Sequence, residues 1–427
     1  MKDAKEVWRS RAAQLRRAIR DGFLEPATHQ LVTYRDHWRT GHIPTPDEIR
    51  REVPNAPSYG TGIEDGALRG ASFLAALCEE YELDRSAEVR SLAHTLFDGL
   101  HRAATAVEPA GFVPRWVLAD GNSCYPESSA DQHSLLLYGL WRFAGSPLAT
   151  GAHRQACAQL AHRVTSRIRN HGWRIVRQDG RDAHAGGPLA LTRRLGMLLA
   201  AHRLTGDTQW LAHYEDTAGD DPLALRDRLF ALLGDGPATP SGWGFYGPEQ
   251  HAQMLTIALA EEPAPERRAV YGRLRAEIAR RFLRGHIPTS RHRPAYTPEA
   301  RRNLGDATHI STPFAAPAAF RHELWGIDED RGWRRDHCLW ATRLPEADAT
   351  AYVLWWMGRR PALCHERNCA ISPLVAYRVA LLSGDAGLIQ AAEEPIGWYF
   401  SHVDLTRAGK LGSLTTAHEI ALAMAQA

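Results

Sequence analysis

Four times in 427 residues this chain repeats one pattern: a stretch rich in Gly, Pro or Ser, then a segment apolar almost all round. The starts lie near 62, 127, 187 and 247, about 60 to 65 residues apart. The first runs from Gly60-Thr61-Gly62-Ile63-Glu64-Asp65 into Ser72-Phe73-Leu74-Ala75-Ala76-Leu77, and the second from Tyr125-Pro126-Glu127 into Leu135-Leu136-Leu137. The third opens at Gly186-Gly187-Pro188 and reaches Leu204, and the fourth opens at Gly242-Trp243-Gly244-Phe245-Tyr246-Gly247-Pro248. Weaker copies begin near Pro345, Ile371-Ser372-Pro373 and Ser413. Self-similarity at a fixed period marks units that bury their apolar faces on one another.

Between these segments lie others of a different kind. Residues 3–22, 86–105, 152–170, 264–285 and 386–402 each carry a single apolar stripe, such as Val89, Leu92, Ala93, Leu96 and Leu100. That is the pattern of an amphipathic helix with one wet face. Alternating strand patterns are scarce. The tokens Leu204-Thr205-Gly206-Asp207 and Leu382-Ser383-Gly384-Asp385 place helix-ending glycines before an outer helix. The chain therefore reads as helical hairpins, each with one buried and one outer helix. About six such hairpins close into a ring. Inner helices are expected at 62–80, 127–144, 187–204, 247–260 and 370–384, and the helix at 3–22 pairs with one near 414–426 to close it. Residues 1–427 read as a single domain. The stretch 286–345, rich in Pro, Arg and His, reads as a lid-like excursion over one mouth of the ring.

Composition narrows the function. Lys+Arg number 51 and Asp+Glu 49, a formal net charge of +2, so nothing draws the whole chain to nucleic acid or an anionic membrane. No apolar run is long enough to span a bilayer. The opening Met1-Lys2-Asp3-Ala4-Lys5-Glu6 has neither an apolar core nor a small-residue cleavage site, and a cytoplasmic location is expected. Cys364, His365 and Cys369 lie close together without a second ligand pair of zinc spacing, so no metal and no cofactor is expected. No phosphate-cradling Gly-rich loop, Asp-rich diphosphate motif or nucleotide fingerprint is present.

The block Gly111-Phe112-Val113-Pro114-Arg115-Trp116, then Asp120-Gly121 and Tyr125-Pro126-Glu127-Ser128-Ser129-Ala130-Asp131-Gln132, resembles the six-hairpin glycosidase-like superfamily. Gly62-Ile63-Glu64-Asp65 upstream and Tyr138-Gly139-Leu140-Trp141 downstream extend the resemblance, which covers residues from about 50 to 400. It implies an all-α (α/α)6 toroid whose cleft handles a carbohydrate or glycoside. Glycoside hydrolases, polysaccharide lyases and sugar epimerases share that superfamily, so the fold alone does not choose the reaction.

In such a ring the residues opening the inner helices face one mouth. Hydrolysis of a glycosidic bond needs two carboxyl groups, one protonated and one ionised. The candidates are Asp131 and Asp65, with Glu127 and Glu249 beside them. Asp65 with Asp131 resembles the aspartates on successive inner helices of unsaturated glucuronyl hydrolases, although the flanking pattern departs from that family. The competing explanation for each is that acidic residues favour the first turn of any helix as caps.

Substrate-binding candidates are Tyr59, Glu64, Arg115, Trp116, Tyr125, Gln132, His133, Trp173, Trp243, Tyr246 and His251. Aromatic rings suit sugar faces, Arg115 suits a substrate carboxylate, and a His–Tyr pair would serve a lyase instead. A tailoring enzyme of small-molecule biosynthesis and a protein-binding helical scaffold are the further alternatives.

Overall fold

The computed structural model describes residues 4–33, 43–53, 56–58, 61–183, 187–233, 247–286, 372–391, 400 and 411–426. Among them no strand forms, only isolated bridges such as Leu24 with Leu31. The helices are α1 (Ala4–Phe23), α2 (Pro46–Arg50), α3 (Gly66–Asp84), α4 (Ala87–Thr105), α5 (Ala130–Gly145), α6 (Gly151–Asn170), α7 (Leu191–Thr205), α8 (Thr208–Ala218), α9 (Pro222–Ala231), α10 (Gly247–Glu261), α11 (Pro265–His286), α12 (Ser372–Ser383) and α13 (Leu411–Gln426).

Six of these form the inner ring. Helix α3 packs on α5, α5 on α7, α7 on α10, α10 on α12, α12 on α13, and α13 returns to α3. Outside lie α4 against α3, α6 against α5 and α7, α8 against α7, α11 against α10 and α12, and α1 against α13. The architecture is an (α/α)6 toroid, and α1 meets α13 as the periodicity predicts. The excursion expected at 286–345 lies outside the described residues.

The division into layers follows from the side chains. Nearly all of α3 between Gly66 and Cys78 is buried, including Phe73, Leu74 and Leu77. By contrast α4 buries one stripe, Val89, Leu92, Ala93, Leu96 and Leu100. One continuous apolar layer joins the two rings, from Ile19 and Phe23 through Leu136 and Leu198 to Leu274 and Leu414. At the α3–α5 seam the helices approach so closely that a Cβ on Gly139 would lie 2.6 Å from the Ala71 carbonyl oxygen. Only glycine permits that backbone separation.

The two ends of the ring differ. Inner helix passes to outer helix through the tight turns 85–86, 146–150, 206–207 and 262–264. Ser86, Thr150 and Asp207 cap the outer helices that follow, each accepting a backbone N–H of the first turn. Gly206 ends α7 with φ +70, the left-handed stop its token predicts. The return paths from outer to inner helix are long: 24–65, 106–129, 171–190 and 232–246. The described residues that end the first two, Asp65 and Ser129, adjoin the N-termini of α3 and α5, where long irregular segments concentrate binding groups. No helix among the described residues is long and apolar enough to cross a membrane.

Candidate functional site

The N-terminal ends of α3, α5, α7 and α10 are laced together by side chains. The Gln132 side-chain oxygen accepts the Leu68 N–H at 2.8 Å, and the Arg115 carbonyl accepts the Ala67 N–H at 3.1 Å. These two acceptors satisfy first-turn amides of α3 that have no partner within the helix.

Asp65 precedes α3 in the N-cap position, yet its carboxylate caps nothing. Its N–H donates to Thr33 Oγ1 at 2.8 Å, and its carboxylate lies 3.7 Å from Arg115 Nη1. Asp131 stands in the first turn of α5, where the N-cap residue is Ser129. It pairs with Arg193 of α7 at 2.8 Å and is 39% exposed, against 13% for Asp65. The buried Arg193 also donates to Ser134 Oγ at 3.0 Å and to the Gln250 side-chain oxygen at 2.6 Å, joining α5, α7 and α10. Each aspartate is thus held by an arginine from another element.

Glu249 opens α10 beside Gln250 and is only 4% exposed. Burial pushes its carboxyl above the ordinary range, while Arg69 and Arg378 pull the other way. Thr416 Oγ1 of α13 reaches Glu249 at 3.5 Å. Deeper in the ring Arg378 of α12 binds Glu419 of α13 at 2.9 Å. Burial, with the Glu249 carboxylate nearby, pushes Glu419 up to about 8 against the pull of Arg378. Among the described residues, the ring interior therefore carries two buried carboxyl groups raised in pKa, of which only Glu249 lies among the sequence candidates. Glu419, Arg378 and Arg69 had a readable signal, a charge inside an otherwise apolar helix.

Other predicted residues are committed to the fold. His133 is buried, with its Nδ1–H on the Ser129 carbonyl at 2.9 Å and its Nε2 accepting the Val113 N–H at 3.3 Å. Both nitrogens are engaged, and burial lowers its pKa to about 4. His251 is buried too, its Nδ1 against Thr192 Oγ1, and burial with Arg193 nearby lowers its pKa well below the ordinary value. Trp116 and Tyr125 pack with Ile49 and Ile63 in a small apolar cluster, and the Tyr125 hydroxyl donates to the Val53 carbonyl. Arg115 is buried and donates to the Glu64 carbonyl at 2.7 Å, while Glu64 itself is buried.

Glu127 is buried 3.5 Å from Arg177, which also binds Glu52. Trp173 remains half-buried on the path between α6 and α7. The structure thus links Asp131, Arg193 and Gln250 at the inner-helix ends, while Gln132 is bound to α3, Glu249 faces Thr416, Arg69 and Arg378, and Asp65 precedes α3. Tyr59, Trp243 and Tyr246 lie outside the described residues, as do Cys364, His365 and Cys369. Among the described residues no three His, Cys, Asp or Glu side chains are grouped to hold a metal ion.

No family model matches the chain, and no curated protein matches it. Among solved structures it is similar to the GH76A alpha-1,6-mannanase from Salegentibacter sp. HEL1_6, with 10% identity and a TM-score of 0.37, over 66% of this chain and 89% of that one. An inactive variant of that mannanase in complex with alpha-1,6-mannotriose aligns over the same shares, at 11% identity and a TM-score of 0.37. Another inactive variant, in complex with alpha-1,6-mannotetrose, gives 10% identity and 0.37.

Proposed function

We propose that this chain is a glycoside hydrolase acting on an oligosaccharide or glycoside by carboxylate acid–base catalysis. One observation supports the reading above the rest: Asp65 and Asp131 open successive inner helices without capping them. Neither side chain makes a cap hydrogen bond, and each faces an arginine instead, which supports a mouth lined by arginine-paired carboxylates.

The environments divide the labour that hydrolysis requires. The general acid must hold a proton until the glycosidic oxygen takes it. Glu249, which opens α10 and whose neutral form burial favours, is the candidate for that role, provided the substrate reaches it past Thr416. The second carboxyl group must be ionised, to activate water or attack the anomeric carbon. Asp131 is the candidate for that position, being half-exposed and held by Arg193, with Asp65 at the start of the adjoining α3. Half-buried Trp173 offers an apolar surface for a sugar ring. The His–Tyr route of a lyase is less favoured, because His133, His251 and Tyr125 are engaged within the fold.

Incubation with a panel of oligosaccharides and aryl glycosides, α-1,6-mannotriose among them, tests the reading. New reducing ends or released aglycone support it. Ultraviolet absorbance from an unsaturated uronate, or no product from any substrate, overturns it.

A further inference from the structure

The opposite end of the ring holds a pocket that the proposed chemistry does not use. It has a volume of about 350 Å³, and its lining includes Glu82, Trp141, Arg142, Arg154, Arg203 and Glu261. Glu82 belongs to the last turn of α3, Trp141 and Arg142 to the end of α5, Arg203 to the end of α7, and Glu261 closes α10. Arg154 stands in the first turn of α6. All inner-helix contributions come from C-terminal ends, whereas Asp65, Asp131 and Glu249 stand at the N-terminal ends. The helix lengths separate the two by the depth of the ring.

We infer that this pocket is a second ligand site, one that takes a neutral, hydroxylated ring of monosaccharide size. Its walls are prearranged. The Trp141 indole N–H donates to Glu261 at 2.8 Å, which fixes the half-buried ring. The Arg142 guanidinium lies 5.8 Å from the Trp141 ring centroid and binds Glu79 at 3.3 Å, so its position is set from both sides. Arg154 Nε is tied to the Ala144 carbonyl at 3.2 Å, and Arg203 stands 3.7 Å from Glu261.

The chemistry selects the ligand. Guanidinium groups offer only donors and carboxylates only acceptors. Vicinal hydroxyls answer both, accepting from arginine and donating to glutamate, while a C–H face of the ring meets the indole. A strongly anionic ligand fits less well. Glu82 and Glu261 would repel it, and the C-terminal ends of four inner helices add partial negative charge that already offsets the arginines. The volume falls within the range of small-molecule pockets.

Methyl α-glycosides of glucose, galactose and mannose, with inorganic phosphate as the contrast, are titrated into the full chain by calorimetry and saturation-transfer NMR. At least one glycoside is expected to bind. Arg203→Ala, an exposed change, should weaken that binding about tenfold, as does loss of one charged hydrogen bond. Glu261→Gln, which keeps an acceptor for the indole, should weaken it as well. Both variants should melt with the wild type, and Asp131→Asn should bind as the wild type does.

Three results would each overturn the assignment: no glycoside binds, phosphate binds in preference to every glycoside, or Asp131→Asn abolishes binding while Arg203→Ala leaves it intact. Hydrolysis is read out by product formation. The catalytic reading and this one therefore fail separately.

Discussion

Arg193, in the first turn of α7, holds Asp131 of α5 at 2.8 Å. The contact crosses from one hairpin to the next, so the carboxylate is positioned by a neighbour rather than by its own helix. Asp131→Asn keeps an acceptor oxygen for Arg193 and removes the carboxylate. Turnover on a hydrolysed substrate should fall about 10²- to 10⁴-fold, with melting close to the wild type because Asp131 is half-exposed. Near-full turnover in the folded variant rules out Asp131 as the base.

His133 should behave in the opposite way. Its ring accepts the Val113 N–H and donates to the Ser129 carbonyl, both inside the fold. His133→Leu leaves the Val113 N–H without that acceptor, at a cost of about 1–3 kcal/mol. Denaturant titration should show the loss, and turnover per folded molecule should be retained. Normal stability with lost turnover would place His133 in the chemistry.

The ring interior should impose a pH dependence. Glu419 is raised from the ordinary 4.5 to about 8 in the folded chain, chiefly by burial. The folded state thus binds a proton that the unfolded state releases. Stability from this group is full below pH 4.5 and is lost as the pH rises towards about 8. Glu419→Gln carries no such proton and still presents an oxygen to Arg378. The stability of the wild type relative to this variant should decline across that window. A difference independent of pH from 4.5 to 8 refutes the assignment.

The α3–α5 seam yields a test within one helix. A Cβ on Gly139 would press on the Ala71 backbone at 2.6–2.9 Å, whereas one on Gly145 meets nothing within 4 Å. Gly139→Ala should cost about 1–3 kcal/mol as overpacking. Gly145→Ala should be stabilising by about 0.4–1 kcal/mol, through the unfolded chain. Chemical denaturation measures both, and equal effects would mean that the seam is not tight.

Closure of the ring by α13 on α3 and α12 predicts that the chain unfolds as one domain. Calorimetry should show one cooperative transition, and limited proteolysis should release no pair of independently stable fragments. Two separated transitions would contradict it.

The inner helices were readable because a buried helix is apolar all round, a pattern that needs no knowledge of its neighbours. Their starts were read about four residues early at α3 and α7, because the repeat openings that begin with Gly62 and Gly187 precede the helix. Helix α2 went unread although Thr45, Pro46 and Glu48 spell a capping box. Partners were not readable. That Arg193 meets Asp131, or Arg115 meets Asp65, depends on how hairpins rotate against each other. Nor was burial at each position readable, because successive residues on a helix point about 100° apart. Asp131 therefore lies half-exposed while His133, two residues on, is buried.

The pairing of α1 with α13 also governs how the chain comes into being. Helix α1 is synthesised before α13, and the surface it covers is made some four hundred residues later. At about 5–20 residues per second, that delay is on the order of half a minute. Through it Leu15, Ile19 and Phe23, all buried in the closed ring, await α13. The flank of α3 waits for the same helix. Synthesis thus produces an open crescent with two sticky edges, and the ring shuts only when α13 arrives.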